Sequence, residues 1–300
     1  MRLYYTDIFV LPLPEGHRFP MVKYARLRER LAQAGAFAPT DFRTPEAAGV
    51  EALSRAHAPD YIARVLENRL DAADLRRIGF PWSAGMVERS LRSAGATLEA
   101  CRSALEEGCA ANLAGGTHHA HADRGEGFCV FNDAAVAALT MLAEGRARRI
   151  TIIDCDVHQG NGTASILADE PRAFTFSIHG ARNFPFDKAK SDLDIELPDD
   201  TGDAAYLAAL DTGLMETLAR ANPDLVIYLA GADPYVGDRL GRLSLSMEGL
   251  RQRDEFVLET LRARGIPAAL AMAGGYAQPI DDTVAIHATT VLAAQRIYFG

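Results

Sequence analysis

Five short apolar runs in this chain stop abruptly at polar, glycine-containing segments, and this pattern constrains the fold more than any other feature. Asn112–Leu113 leads into Gly115-Gly116-Thr117-His118-His119, and Ile150–Ile153 into Asp154-Cys155-Asp156-Val157-His158. Phe174–Ile178 leads into His179-Gly180, Leu225–Leu229 into Ala230-Gly231-Ala232-Asp233, and Leu270–Met272 into Gly274-Gly275-Tyr276. Stretches with helical features lie between them: Met21–Ala34, Pro59–Leu70, Gly85–Gly108, Asn132–Glu144, Asp203–Arg220, Ser246–Arg264 and Asp281–Ile297. Arg2–Tyr5 reads as a further strand. Strands alternating with helices predict βαβ units and an α/β fold with a mostly parallel sheet. Runs that are apolar throughout predict a sheet covered on both faces. Ligands of such sheets bind outside the carboxyl ends of the strands, so five ends rich in His, Asp and Tyr predict one shared site.

Composition narrows the class. The 300 residues are 48% hydrophobic, so the chain can offset its ordering entropy and is not a disordered segment. Lys plus Arg is 31 against 40 Asp plus Glu, a formal net charge of −9. That balance argues against a nucleic-acid partner, which needs a basic face to displace counterions. No apolar run approaches the ~18 residues of a membrane span. The stretch Ile8–Pro14 is short and broken by prolines, a poor signal peptide. Cys101, Cys109, Cys129 and Cys155 form no CxxC pair and read as buried, reduced thiols. The expectation is a soluble, cytoplasmic protein. No linker or repeat interrupts the pattern, so residues 1–300 are expected to form a single domain.

The strand ends carry the chemistry. On an extended segment, residues i, i+2 and i+4 face one side, so Asp154, Asp156 and His158 could converge. Carboxylates and imidazole suit zinc and other divalent metals, and Asp233 supplies a further carboxylate. Two Asp and one His leave a position open, as a catalytic zinc requires. The alternative is an Asp that caps the following turn. In His118-His119 adjacent side chains diverge, so the two should have different jobs, one of them acid–base; the alternative is an exposed His-rich turn that includes His121. The Tyr276 hydroxyl could donate to an oxyanion, or Tyr276 could simply pack its loop. His57 reads as a local packing residue, His287 as structural or exposed, His179 as lining the site, and His17 as lining its mouth.

Together these segments resemble the zinc-dependent histone deacetylase superfamily, in its bacterial and class IV-like branch. The resemblance is carried by Gly115–Ala120, Gly127-Phe128-Cys129, Asn132-Asp133, Asp154–Thr163, Gly231-Ala232-Asp233-Pro234 and Gly274-Gly275-Tyr276, in the family's order. Glu15–Met21 and Asn183-Phe184-Pro185 with Asp187–Leu197 add the class IV-like character. The resemblance implies the three-layer arginase–deacetylase fold, with a central, mainly parallel eight-stranded sheet flanked by helices. It implies Asp156, His158 and Asp233 as zinc ligands, with Fe(II) as the other candidate in cells. Asp154 would orient His118, which gives electrostatic support, and Asn161 would stand behind His119, the general base and acid. Tyr276 would donate to the substrate carbonyl. Phe128 and Phe184 would wall a tunnel for the acyl chain, with Gly127 and Gly275 beside the substrate. A structural potassium site would use Asp154 and Ser177 with backbone at Asp156, His158 and Ile178.

Two departures accompany the resemblance. Asn161 stands where class I enzymes place an acid, so His119 should have a lower proton affinity. No acidic residue near Gly79–Ser83 matches the one that holds the peptide backbone at the class I tunnel rim. The leading expectation is a zinc amidohydrolase that removes acetyl or longer acyl groups from lysine side chains of a protein or peptide. The alternative is an acetylpolyamine or other small-amide deacetylase. A two-manganese ureohydrolase would need more carboxylates, and a silent binder of acylated lysine would not need Tyr276 and His119. Acyl length and oligomeric state stay open at this point.

Overall fold

In a computed structural model that describes all 300 residues, the apolar runs become strands whose alternate residues enter two different cores. The strands are β1 (Arg2–Tyr4), β2 (Phe42–Arg43), β3 (Cys109–Asn112), β4 (Ile150–Asp154), β5 (Ala173–Gly180), β6 (Leu193–Leu197), β7 (Leu225–Leu229) and β8 (Ala268–Ala271). They form one eight-stranded sheet in the order β2-β1-β3-β8-β7-β4-β5-β6. Every pairing is parallel, so the expectation of a mainly parallel sheet is met in full. Ile150, Ile152, Leu225, Ile227, Leu229 and Ala269 face one core. Ile153, Val226, Tyr228, Ala268 and Leu270 face the other. With both faces buried, the strands read as nearly continuous apolar runs, and polar members such as Thr151 and Ser177 are buried with them.

Ten helices cover the sheet: α1 (Val22–Gln33), α2 (Val50–Leu53), α3 (Pro59–Leu66), α4 (Ala72–Ile78), α5 (Ala84–Glu107), α6 (Asp133–Ala143), α7 (Asn161–Leu167), α8 (Asp203–Ala221), α9 (Met247–Ala263) and α10 (Ile280–Phe299). Local chemistry sets their limits. Ser83, Asn132 and Ser246 cap α5, α6 and α9 by accepting backbone N–H bonds. α3 stops four residues before the predicted Leu70, because Asn68 turns left-handed (φ 56°) and Asp71 caps the new helix α4. β2, β6, α2, α4 and α7 were not expected from the sequence. α7 opens with Asn161-Gly162-Thr163, weak helix formers held by tertiary contacts. β6 is a half-exposed edge strand that alternates apolar and polar residues.

The all-parallel sheet has one consequence for function. Every strand delivers its carboxyl end to the same edge, so the segments after β3, β4, β7 and β8 meet there. No helix is long and apolar enough to cross a membrane. All four cysteines are buried and free.

Candidate active site

The center of that edge is a buried Asp–His–Asp cluster. One donor atom each of Asp156, His158 and Asp233 lies within 4.8 Å of the others. His158 Nδ1 is 2.9 Å from Asp156 Oδ1 and 3.3 Å from Asp233 Oδ2. The remaining carboxylate oxygens are fixed by backbone donors: Gly274 N–H donates to Asp156 Oδ2 at 2.7 Å, and Val157 N–H to Asp233 Oδ1 at 2.9 Å. Asp233 Oδ2 is buried without a hydrogen-bond partner. A buried, unpartnered carboxylate oxygen beside a second carboxylate is costly unless a cation meets it. Burial and the charge of Asp156 push Asp233 up to about 7. Burial alone would lower His158, but its hydrogen bond to Asp156 and the nearby charge of Asp233 outweigh that and raise it to about 10. Nδ1 of His158 and the two carboxylates lie close enough together for one divalent cation to meet all three donors. The donor set, one imidazole and two carboxylates, suits a borderline-to-hard divalent ion.

The convergence does not come from an extended strand, as the i, i+2, i+4 spacing predicted. β4 ends at Asp154, and Asp156 and His158 lie in the bend that follows. Asp154 stands apart from the ligands and accepts from His118 Nδ1 at 2.7 Å. Burial disfavours charge on His118, but Asp154 and Asp156 outweigh it and raise His118 to about 9.

His119 has the opposite environment. Burial and the neighbouring His118 and His158 hold it well below the ordinary histidine value. Its Nδ1 is 2.8 Å from Asn161 Oδ1, which can only accept, so Nδ1 carries the hydrogen and Nε2 keeps a free lone pair. The two rings are 4.2 Å apart yet differently partnered, in line with the two jobs expected of them. Asp133 holds the turn that presents them, accepting from Gly116 N–H at 3.0 Å and Thr117 N–H at 2.7 Å. Asn132 Nδ2 donates to Ala120 O at 3.0 Å from the other side.

A cavity of about 640 Å³ opens from this cluster to solvent. Phe128, Phe184, Gly127, His118, His119 and Tyr276 all line it. Gly127 (φ 54°) passes so close to His119 that a Cβ would lie 2.7 Å from its Cδ2. Phe184 packs edge-on against His119 at 4.9 Å. Tyr276 is anchored through its backbone: its N–H donates to Asp238, and its carbonyl accepts from Arg239 Nε at 3.1 Å. Burial raises the Tyr276 hydroxyl well above the ordinary value, so it stays protonated as a donor. Gly275 does not line the cavity; a Cβ there would meet Thr283 at 2.4 Å.

Other expectations are sorted by burial. His179 lies inside β5, fully buried against Ser177 at 2.9 Å, and is not part of the cavity wall as expected. His57 packs as expected, with Nδ1 2.9 Å from His121 O and Nε2 accepting from Asn132 N–H at 2.9 Å. His287 is buried in α10. His17 is not in the wall; it braces the mouth through Gly79 O at 2.9 Å and the Phe128 ring at 6.0 Å. Asp154 and Ser177 are register partners on β4 and β5, side by side where the potassium site was expected. The region Gly79–Ser83 brings no acid to the mouth; Arg76 and Arg77, just before it, line the wall.

Two supporting residues were missed. Arg253 is fully buried and clamps the carbonyls of Cys155 (3.1 Å) and Gly231 (2.6 Å), behind both ligand loops. Lys23, also buried, approaches Gly275 O at 3.2 Å and sits 5.1 Å from the Tyr276 ring. Both lie on helices whose sequence reads as charged and solvent-facing. Only the partners across the fold reveal them.

Fold and site together define an α/β protein with an Asp–His–Asp set that could hold a metal, a buried imidazole pair and a tyrosine at the carboxyl edge of a parallel sheet. The chain belongs to the histone deacetylase domain family, whose model matches residues 17–292. It is 45% identical over 296 residues to an uncharacterized protein of Picosynechococcus, covering 99% of this chain and 98% of that one. It is 37% identical over 200 residues to histone deacetylase 2 of Arabidopsis thaliana, covering 64% of this chain and 52% of that one. Among solved structures, a histone deacetylase homolog from Aquifex aeolicus superposes with a TM-score of 0.82 at 22% identity, covering 98% of this chain and 83% of that one. An acetylpolyamine aminohydrolase from Burkholderia pseudomallei gives 0.80 at 20% identity, with 99% of both chains covered. The fold is thus the arginase–deacetylase fold. Family membership supports a metal-dependent hydrolase acting on amides.

Proposed function

We propose that the chain is a zinc-dependent deacylase that hydrolyses the side-chain amide of acylated lysine. The reading is carried by one observation: the Asp156–His158–Asp233 donor set, the free Nε2 of His119 and the hydroxyl of Tyr276 share one cavity with aromatic walls. When bound, the divalent ion would polarise the amide carbonyl and make water acidic near neutral pH. His119 Nε2 takes a proton from the attacking water and returns it to the departing amine. Asn161 keeps the ring in the tautomer that allows this. His118, held cationic by Asp154, stabilises the negative charge that develops nearby. Tyr276 donates to the carbonyl oxygen as it becomes an oxyanion. Phe128 and Phe184 enclose the apolar stem of the side chain and exclude water. A potassium ion held by Asp154, Ser177 and the carbonyls of Asp156, His158 and Ile178 belongs to the same proposal. The second reading, hydrolysis of an acetylated polyamine, is suggested by the Burkholderia structure.

The test is hydrolysis of an uncharged acetyl-lysine peptide before and after chelation. Activity should vanish with the metal and return with zinc; activity that survives complete metal removal would sink the mechanism.

A further inference from the structure

The mouth of the cavity has the opposite charge to the chain. Besides the buried ligands Asp156 and Asp233, the wall contains a single acid, Glu126. It contains five exposed arginines: Arg18, Arg76, Arg77, Arg182 and Arg242. Their ion pairs leave an excess of positive charge. Arg182 and Arg242 share one carboxylate, Asp199, at 3.5 and 3.1 Å. Arg77 shares Asp74 with Arg64. Arg18 and Arg76 have no ion-pair partner. In a chain of net charge −9, an arginine rim around the opening of this cavity is not accounted for by average composition.

The position of the charge decides what it can recognise. All five guanidiniums are exposed, whereas the buried residues that line the cavity around the Asp–His–Asp cluster include no arginine or lysine. An anion on the acyl group would lie in the floor, out of reach of these arginines. An anion on the portion that carries the amine would lie at the rim. Arginine's planar fork pairs with carboxylates in two-point fashion, which a lysine rim would not do as well. Phe186 at the same rim is 82% exposed and adds the apolar contact common at peptide interfaces.

Building on the deacylase reading, we propose that the arginine rim selects acyl-lysines embedded in acidic peptide or protein segments. The same rim disfavours polyamine conjugates and lysine- or arginine-rich segments. Charge of one sign lining a cleft raises the local concentration of oppositely charged substrate and repels like charge.

The experiment measures kcat/KM for three acetyl-lysine peptides that differ only in flanking residues: Asp/Glu, uncharged, and Lys/Arg. Acetylspermidine is run beside them on the zinc-loaded protein. The acidic peptide should exceed the basic one by about tenfold or more at low salt. The ratio should shrink steeply toward 1 M salt, where the screening length falls to about 3 Å. The exposed-site variants Arg18→Glu and Arg76→Glu should each reduce the acidic-to-uncharged ratio, and the double variant should bring it to one or below. A ratio near one in the wild type, a ratio indifferent to salt, or faster turnover of acetylspermidine than of the acidic peptide would overturn the proposal. Hydrolysis of the uncharged peptide separates the two claims. If it occurs without charge preference, only the rim proposal fails; if no peptide is hydrolysed, the deacylase reading fails as well.

Discussion

Asn161→Asp should move the acid limb of the pH–rate profile upward, and the structure sets the size of the effect. Asn161 Oδ1 accepts from His119 Nδ1–H at 2.8 Å, and both side chains are buried. The substitution keeps this acceptor in place and adds a full negative charge. A unit charge about 4 Å from the ring, at an effective dielectric of about 20, is worth about 4 kcal/mol. That corresponds to about 3 pKa units at about 1.4 kcal/mol each. Part of this is screened. Asn161 Nδ2 now lies 3.2 Å from His121 Nε2, and His121 is 3.5 Å from Glu126. His121 would gain a proton once it faces a carboxylate, leaving a net rise for His119 of about one to three pH units. The sign follows from the role of His119. A base that holds its own proton to higher pH is blocked over a wider acidic range, so kcat/KM must begin to fall at higher pH than in the wild type. The assay is kcat/KM against pH on the uncharged acetyl-lysine peptide, with zinc content measured at each end. An acid limb that stays in place while zinc is retained would show that His119 is not the base, or that Asn161 does not touch it.

Three further outcomes are expected. Tyr276→Phe should lower kcat by about 10²–10³ with little change in KM, because the lost donor matters only as the oxyanion forms; steady-state kinetics check this, and an unchanged kcat removes Tyr276 from the reaction. Gly274→Ala would put a Cβ 1.9 Å from Asp233 Oδ2 and 2.6 Å from Asp156 Oδ2, so both carboxylates must move; zinc affinity, read by competition with a chromophoric chelator, should fall about 100-fold or more. Burial lowers His57 to about 4; its neutral form is the folded one, so the stability it contributes is complete above the unfolded value of about 6.5 and drains away as pH falls from there toward 4, by about 3 kcal/mol. Urea midpoints across that window should drop, and His57→Gln should flatten the drop; a variant with the wild-type slope would refute the assignment.

Much of the fold was legible because a parallel sheet buried on both faces leaves a plain trace. Leu225–Leu229 is almost wholly apolar and Ile150–Ile153 nearly so because each face meets a core. The polar residues at their ends could be collected into one site because parallel strands share an edge. What the pattern could not supply was geometry set by loops. The spacing of Asp154, Asp156 and His158 suggested a strand face, yet a bend brings Asp156 and His158 together and sends Asp154 to His118 instead. The edge strand β6 escaped because half-exposed alternation is weaker than a continuous run. His179 looked like a site residue because it follows an apolar run, but β5 continues through it and turns it into the interior.

Charged residues were the least legible, and for one physical reason. A charge on an amphipathic helix reads as solvated, since burying it unpaired is prohibitive. Arg253 evades the rule because Asp254 Oδ1 lies 2.8 Å from its Nε, while two loop carbonyls take its Nη1. Those two carbonyls, of Cys155 and Gly231, lie far from Arg253 in sequence, so no local pattern announces them. The rim arginines show the same point at the surface. Net charge is a sum over the whole chain, whereas a substrate meets the field at one opening. A total of −9 argued against a nucleic-acid partner. The placement of Arg18, Arg76, Arg77, Arg182 and Arg242 around a single cavity gives the opposite sign at that opening. Most of the acids that set the total lie outside this cavity, whose only acids are Glu126, Asp156 and Asp233, so the global sign and the local sign belong to different surfaces.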